Sequence, residues 1–262
     1  MKVCALFALV ALAGSIAAGA PSGSGSIPGW GTVIDPAGDC KVNLRDGKLS
    51  IIVPASDKAH DLSCEIGNTT APLVIQRAIG DFVLQVKVDG TFQPSDDSSE
   101  AGRCGYVGGG LVIFADKSNY VTIARATLRY QGDKPAPYTN FEIRADGECV
   151  RIGATGDLPT DPAKPTWLRL ERRGRQMLGA MSQDGKHWHY GDPKPLDSKA
   201  WDKPSVTAGI AALSTSTGDF APIFSGLALT KAPSQPAPSP ANQAPQPGPS
   251  PKQATANHPR FY

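Results

Sequence analysis

Apolar and polar side chains alternate in short segments along residues 42–229, and Gly, Asp, Asn or Ser separates one segment from the next. A period of two places alternate side chains on opposite faces of a β-strand, so each segment has one apolar face. No stretch keeps a helical period for more than two turns. The pattern predicts an all-β fold, with strands at residues 41–45, 48–53, 73–78, 82–88, 110–115, 120–126, 141–144, 150–154, 167–172, 176–182, 187–190, 206–214 and 223–230.

Asp-Gly pairs join several of these strands, at Asp46-Gly47, Asp146-Gly147 and Asp184-Gly185. Glycine adopts the positive φ that tight hairpin turns require without a Cβ clash. So many short strands favour two packed antiparallel sheets. A jelly-roll sandwich accommodates them better than an immunoglobulin fold, because the Cys-Trp-Cys spacing of that fold is absent from the sequence.

The two ends of the chain differ from its centre in composition. Residues 1–20 combine a basic start, an apolar run and small residues at the end, which is typical of a secretory signal peptide and too short for a membrane span. Residues 232–262 carry eight prolines between Pro233 and Pro251 and few apolar side chains, which predicts a disordered tail. We therefore expect one sandwich domain at residues 26–231 of a secreted or periplasmic protein, with the tail as a tether to the cell envelope.

The charge of the chain argues against nucleic acid as a partner. The formal net charge is +2, and Lys2, Lys252 and Arg260 lie in the predicted signal and tail, which leaves about −1 on the predicted domain. Binding to nucleic acid needs a concentrated basic surface that neutralises phosphates. The Gly-rich run at residues 108–110 is not followed by the Lys-Ser/Thr of a phosphate-binding loop. We predict no cofactor and no transmembrane segment.

Four cysteines remain when Cys4 is removed with the signal, and an even number in an exported protein predicts two disulfides. Three pairings are open. We favour Cys40 with Cys64 and Cys104 with Cys149, because each bond would tie a loop to a neighbouring strand end. The successive spacings of 24, 40 and 45 residues are unlike those of zinc modules, so the sequence predicts no metal site.

Five segments occur in an order and spacing that resemble a known family. They are the Gly-Gly-Gly-Leu-Val-Ile-Phe-Ala-Asp-Lys-Ser-Asn-Tyr-Val-Thr-Ile run at 108–123, Trp-Leu-Arg-Leu-Glu-Arg at 167–172, Ser-Gln-Asp-Gly-Lys-His-Trp at 182–188, Ala-Gly-Ile-Ala-Ala at 208–212, and Phe224. This set is similar to the concanavalin A-like lectin/glucanase domain family named after a yeast regulator of enolase. The resemblance implies a concanavalin A-like jelly-roll sandwich of two antiparallel sheets and contact with carbohydrate. Related lectin-like modules are appended to xylosidases.

The sequence lacks the carboxylate pair that a sandwich glucanase would place along one strand. Glycosidases need two carboxyl groups that face each other across the scissile bond. The nearest run, Glu142-Ile-Arg-Ala-Asp, has Arg144 where the second acid would stand, and Asp146 belongs to a turn. We therefore predict a non-catalytic binding module. A glycan-active hydrolase of the same fold and a purely structural envelope protein remain as alternatives.

Two strands carry polar pairs on the face opposite their apolar residues. Glu142 and Arg144 alternate with Phe141 and Ile143, and Arg169 and Glu171 alternate with leucines. If the two strands are neighbours, these side chains form one polar ladder that could bind sugar hydroxyls while an aromatic ring stacks on the sugar. Cross-strand ion pairs on a solvated sheet are the alternative. The predicted ligand-binding residues are Tyr120, Arg125, Glu142, Arg144, Arg169, Glu171 and Trp188.

Overall fold

The computed structural model describes residues 25–153, 158 and 160–233. The predicted signal at residues 1–20 and nearly all of the predicted tail lie outside this part of the chain. Strands in the described part pair only in antiparallel fashion and form two large sheets and one small one. No helix of the described part is long and apolar enough to cross a membrane.

The first sheet has the spatial order β1 (Ser26–Ile27), β2 (Gly31–Ile34), β7 (Leu73–Ile79), β17 (Ser205–Ser214), β9 (Gly105–Asp116), β10 (Asn119–Arg129), β11 (Ala136–Ala145) and β12 (Glu148–Arg151). The second has the order β15 (His189–Tyr190), β14 (Gln176–Ser182), β13 (Thr166–Arg173), β8 (Phe82–Asp89), β18 (Ile223–Lys231), β4 (Lys48–Ile52) and β3 (Lys41–Arg45), and β16 (Lys194–Pro195) also pairs with β14. Strands β5 (Leu62–Ser63) and β6 (Asn68–Thr69) form the small sheet, and 3₁₀ turns occupy Cys64–Ile66 and Lys199–Asp202.

The two large sheets pack face to face around one apolar core. Alternate residues of β8, including Leu84 and Val86, are fully buried in this core together with Val121 and Ile123 of β10. The pleat directs every second side chain to the same face, so the alternation in the sequence fills the space between the sheets. The predicted all-β sandwich of two antiparallel sheets is confirmed.

The strands of the first sheet extend further than the sequence pattern indicates. Strand β9 begins at Gly105, although the glycines at 108–110 interrupt the alternation. A Cβ at Gly110 would lie 2.0 Å from the carbonyl oxygen of Ile123, and a Cβ at Gly209 would lie 2.0 Å from that of Val74. These glycines let neighbouring backbones approach closely within the sheet. The predicted hairpin turns at Asp46-Gly47 and Asp146-Gly147 are present, with φ of 52° at both aspartates, whereas Asp184-Gly185 lies in a longer connection between Ser182 and His189.

Residues 60–71 cover part of the outer face of the first sheet, the face that points away from the main core. A second apolar cluster forms beneath this segment and includes Leu62, Leu73, Val112 and Tyr120. The backbone N–H of Cys64 donates a hydrogen bond to the Tyr120 hydroxyl, at 3.1 Å. Polar side chains on this outer face are therefore covered by the chain, whereas the alternation alone predicts that they face solvent.

Neither predicted disulfide is formed: the four described cysteines are free thiols, at Cys40, Cys64, Cys104 and Cys149. Three of them have other neighbours: Cys40 lies beside Asp39, Cys64 lies at the 3₁₀ turn above Tyr120, and Cys149 is on edge strand β12. Burial raises the pKa of the Cys149 thiol to about 11, and burial also raises the thiol pKa values of Cys40 and Cys104. Thiols of this kind are poor nucleophiles at neutral pH.

Candidate functional site

The topology separates the two polar pairs that would form one ladder if their strands were neighbours. Strand β11, with Glu142 and Arg144, lies in the first sheet, and strand β13, with Arg169 and Glu171, lies in the second. The intervening residues of both strands are part of the central core. The two pairs therefore point outward on opposite sides of the sandwich. The two strands are therefore not neighbours, and the single ladder that depended on this does not form, because alternation assigns a side chain to a face but does not specify the neighbouring strand.

Arg144 is the centre of a covered polar group on the first sheet, which we call the Arg144 cluster: Glu65, Tyr120, Asn140, Glu142 and Arg144. The guanidinium donates to both carboxylate oxygens of Glu65, from Nη2 at 3.2 Å and from Nε at 3.3 Å. Its Nη1 donates to Glu142 Oε2, and the Asn140 amide donates to Glu142 Oε1 at 2.7 Å. The Arg144 side chain is 4% exposed, and those of Glu142 and Glu65 are 15% and 16% exposed.

The electrostatics of this cluster favour a fixed charge at its centre. Burial alone would lower the pKa of Arg144, but Glu142 and Glu65 outweigh burial and raise the pKa above the ordinary value. Burial also raises the pKa of the Tyr120 phenol, so the ring beside the guanidinium stays neutral. The buried Arg144 cation has a carboxylate on each of two sides and compensates the negative charge of both. Both carboxylates of the cluster are thus engaged with a permanent cation.

A second arginine extends the Arg144 cluster into the covering segment. Arg103 donates to the Ser63 hydroxyl at 3.2 Å, and Ser63 in turn donates to Asp61 at 2.7 Å. A nitrogen of Arg103 also lies 4.0 Å from Glu65. The sequence pattern does not distinguish these four residues, because they lie in irregular segments, in a 3₁₀ turn or in a strand of two residues, which are too short to show an alternation. Their contacts hold residues 61–66 on the outer face of the first sheet.

The second sheet carries a more open group, which we call the Arg169 face: Gln85, Lys87, Trp167, Arg169, Trp188 and Tyr190. All six side chains are partly exposed. The Arg169 guanidinium lies 3.8 Å from the centre of the Trp188 ring, and it donates to the Tyr190 hydroxyl at 2.9 Å and to Gln85 Oε1 at 2.7 Å. Lys87 lies 5.9 Å from the Trp167 ring on the same surface. Among the described residues, a phenol, an amide and an aromatic ring hold this arginine, and no carboxylate oxygen lies within 4.0 Å of it.

A tight turn after β14 positions Trp188 over Arg169. The Asp184 carboxylate accepts hydrogen bonds from the backbone N–H groups of Lys186 and His187, both at 2.8 Å, and Ser182 Oγ accepts from Gly185 N at 2.9 Å. Hydrogen bonds from the His187 ring and from the two backbone groups hold the pKa of Asp184 well below its usual range. Asp184 in turn raises the pKa of the exposed His187. The turn is thus stabilised by hydrogen bonds among residues 182–187, in which the charged Asp184 carboxylate is the main acceptor.

The remaining predicted residues lie apart from these two groups or are covered. Arg125 points to the inner side of β10, where it donates to the Pro162 carbonyl at 2.8 Å and lies 4.5 Å from the Phe92 ring. Glu171 shares the outer side of β13 with Arg169 but is buried and paired with Arg173. Tyr120 has no exposed surface. Among the predicted residues, Arg169 and Trp188 are the two that are partly exposed and in contact with each other.

Comparison with known proteins supports the fold. No protein-family model matches the sequence, and no curated protein matches it. A functionally unknown protein from Saccharomyces cerevisiae shares 16% identity over 77% of this chain and 96% of its own, with a TM-score of 0.55. The xylan β-1,4-xylosidase of Bacillus halodurans shares 14% identity over 73% of this chain and 34% of its own, with a TM-score of 0.51.

A GH43 protein from Bacillus licheniformis gives similar values: 14% identity, 75% of this chain, 37% of its own chain and a TM-score of 0.51. The chain therefore spans about a third of the length of the two bacterial proteins. At such low identity the likeness establishes the sandwich fold and leaves the chemistry to the residues of this chain.

Proposed function

We propose that this chain is a secreted or periplasmic, non-catalytic module of the concanavalin A-like lectin/glucanase family that binds polysaccharide or oligosaccharide through the Arg169 face. The observation that carries the proposal is the partly exposed pair of planar groups, Arg169 and Trp188, beside Trp167. The tail at residues 232–262 would connect the module to the cell envelope.

The chemistry of the Arg169 face suits a neutral sugar. Recognition of a sugar depends on stacking of an aromatic ring on the apolar face of the pyranose and on hydrogen bonds to hydroxyls. Trp188 and Trp167 provide exposed aromatic surface, while the Gln85 amide and the Tyr190 hydroxyl provide donors and acceptors. These groups lie on adjacent strands and on one hairpin, so they form a surface that is largely preorganised.

A glycan-active hydrolase is the second candidate, and the Arg144 cluster is the observation that favours it. Glu65 and Glu142 are two carboxylates on either side of one polar centre, as hydrolysis of a glycoside requires. Against this, both carboxylates are engaged with Arg144 and are mostly covered by residues 60–71. The binding module is therefore the better supported proposal.

A glycan array with the full chain, followed by calorimetric titration, tests the proposal. Xylo-oligosaccharides belong among the probes, because one structure with a similar fold is a xylan β-1,4-xylosidase. Trp188→Ala and Arg169→Ala should each weaken binding roughly tenfold or more, since each removes a contact worth about 1–3 kcal/mol. Tyr130→Ala removes an aromatic side chain that is 43% exposed outside the Arg169 face, and should leave binding unchanged.

Two results would contradict the proposal. Unchanged affinity in both Trp188→Ala and Arg169→Ala would exclude the Arg169 face as the site. Release of new reducing ends from a bound oligosaccharide, with loss of this release in Glu142→Gln, would identify the chain as a hydrolase that uses the Arg144 cluster.

A further inference from the structure

Three side chains with metal-binding atoms that belong to neither polar group described above meet next to the start of β3. Asp39 Oδ1 lies 2.8 Å from His60 Nε2 and 3.5 Å from Cys40 Sγ. One ligand atom from each of the three residues lies within 4.8 Å of the others. The His60 side chain is 1% exposed and that of Asp39 is 32% exposed. A buried imidazole, a half-buried thiol and an accessible carboxylate therefore converge on one point.

The backbone on both sides of this point is held in place. The Asp35 carboxylate accepts hydrogen bonds from Gly38 N at 3.1 Å and from Cys40 N at 2.9 Å, which closes the loop before β3. His60 exchanges two backbone hydrogen bonds with Ser214 of β17, at 2.8 and 2.7 Å. The thiol and the imidazole thus come from two separately anchored segments. Such preorganisation lowers the cost of assembling a metal site.

We propose that Asp39, Cys40 and His60 bind one Zn²⁺ ion, with the fourth coordination position open to solvent. Zinc accepts thiolate sulfur at about 2.3 Å and imidazole nitrogen or carboxylate oxygen at about 2.0–2.2 Å. Ligand atoms around a tetrahedral zinc are consequently about 3.3–3.8 Å apart. The distances of 2.8 and 3.5 Å from Asp39 Oδ1 lie close to this spacing, and Cys40 Sγ and His60 Nε2 lie within 4.8 Å of each other, so side-chain adjustments would bring all three ligand atoms to it.

The combination of ligands selects zinc over the hard cations. Calcium and magnesium prefer sites built from oxygen atoms, whereas thiolate and imidazole suit zinc and similar transition metals. Within the described part of the chain, His60 is the one ion-pair partner that lies within 4.0 Å of the Asp39 carboxylate. A bound Zn²⁺ would link the loop before β3 to the segment that pairs with β17. The exposed side of Asp39 leaves room for a water molecule as the fourth ligand.

Cobalt and zinc titrations of the full chain test this site. The protein is purified in the presence of a reductant, stripped of metal with a chelator and titrated with Co²⁺, which reports thiolate ligation through a sulfur-to-metal charge-transfer band and tetrahedral geometry through its visible bands. Zinc should then displace cobalt at a ratio of one ion per chain and abolish both signals. Differential scanning calorimetry should show a higher Tm with zinc than without it, because the ion binds the folded state.

Variants distinguish coordination from a purely structural contact. Cys40→Ser and Asp39→Asn should each lower the zinc affinity by more than 100-fold, since even residues that only support a ligand contribute about 10–100-fold. Cys40→Ser should also abolish the charge-transfer band. Cys104→Ser removes another half-buried thiol and should change neither affinity nor spectrum. His60→Gln is a weaker test because His60 is buried.

The outcomes are decisive in both directions. Zinc uptake of one ion per chain that is lost in Cys40→Ser supports the site. A charge-transfer band that persists in Cys40→Ser, or the absence of zinc uptake by a folded, fully reduced wild-type chain, would show that Asp39, Cys40 and His60 are only a hydrogen-bonded contact.

Discussion

Two arginines on outward-facing positions of the sandwich, Arg144 and Arg169, have similar sequence surroundings and different structural environments. Both alternate with apolar core residues, and each lies two positions from a glutamate. Arg144 is almost fully buried and pairs with two carboxylates, whereas Arg169 is partly exposed and contacts an aromatic ring, a phenol and an amide. The partners, and not the alternation, determine whether the guanidinium holds the fold together or remains available to a ligand.

The two arginines differ in exposure because different segments of the chain cover the outer faces of the two sheets. Residues 60–71 cross the outer face of the first sheet and provide Glu65 as a counter-charge for Arg144. On the second sheet, the hairpin around Asp184 brings Trp188 against Arg169, which stays partly exposed. A buried charge must be paired, but a charge at the surface can rely on water.

The largest expected effect is at the Arg144 cluster. Arg144→Met should destabilise the fold by about 3–5 kcal/mol, because it leaves two mostly buried carboxylates without their cation. Urea denaturation followed by circular dichroism measures the change. The triple variant Arg144→Met, Glu65→Gln and Glu142→Gln should recover part of the loss, since it removes the uncompensated charges as well. A loss below about 1 kcal/mol in Arg144→Met would show that the cluster is solvated.

The corresponding change on the Arg169 face should have a much smaller effect on folding. Arg169→Met removes a cation–π contact and the hydrogen bonds to a phenol and an amide at a partly exposed position, where water can replace them, so we expect a destabilisation of about 1 kcal/mol or less. The same urea titration applies, and Arg144→Met is the matched comparison. Equal losses of stability in the two variants would remove the distinction between a structural and an accessible arginine.

The smallest effect concerns the turn that positions Trp188. The pKa of His187 is raised by its hydrogen bond with Asp184, and that of Asp184 is lowered by the same contact and by backbone donors. The stabilisation from His187 is therefore fully present below its unfolded pKa of about 6.5 and is lost as pH rises through the folded value. The stabilisation from Asp184 is present above its unfolded pKa of about 3.9 and is lost as pH falls through the folded value.

A pH titration of the His187 ring by NMR measures this contact directly. In the wild type the ring should titrate above its ordinary value, and Asp184→Asn should return it towards that value. The exposed His189 provides an internal control in the same spectra. An unchanged His187 titration in Asp184→Asn would show that the turn relies on backbone hydrogen bonds alone.

Much of the fold is predictable from local sequence, and less of the candidate site is. Strand β14 begins and ends where the alternation indicates, and the Asp46-Gly47 and Asp146-Gly147 turns adopt the backbone that their sequences favour. Short edge strands such as β1 and β16 were missed, because two residues are too few to establish a period. At the Arg169 face, Arg169 and Trp188 were predicted, whereas Gln85 and Tyr190 are recognisable only once β8 and β15 are assigned to one sheet.

The sequence by itself determined the fold class of this protein and the face on which each strand residue lies, since both depend on a period of two between neighbouring residues. Only the tertiary structure decided that β11 and β13 belong to different sheets, that residues 60–71 cover Arg144 but leave Arg169 accessible, and that Cys40 lies with His60 and not with Cys64. These arrangements depend on contacts between residues that are distant in the chain. They are selected by the packing of the whole domain, for which no short sequence pattern carries a signal.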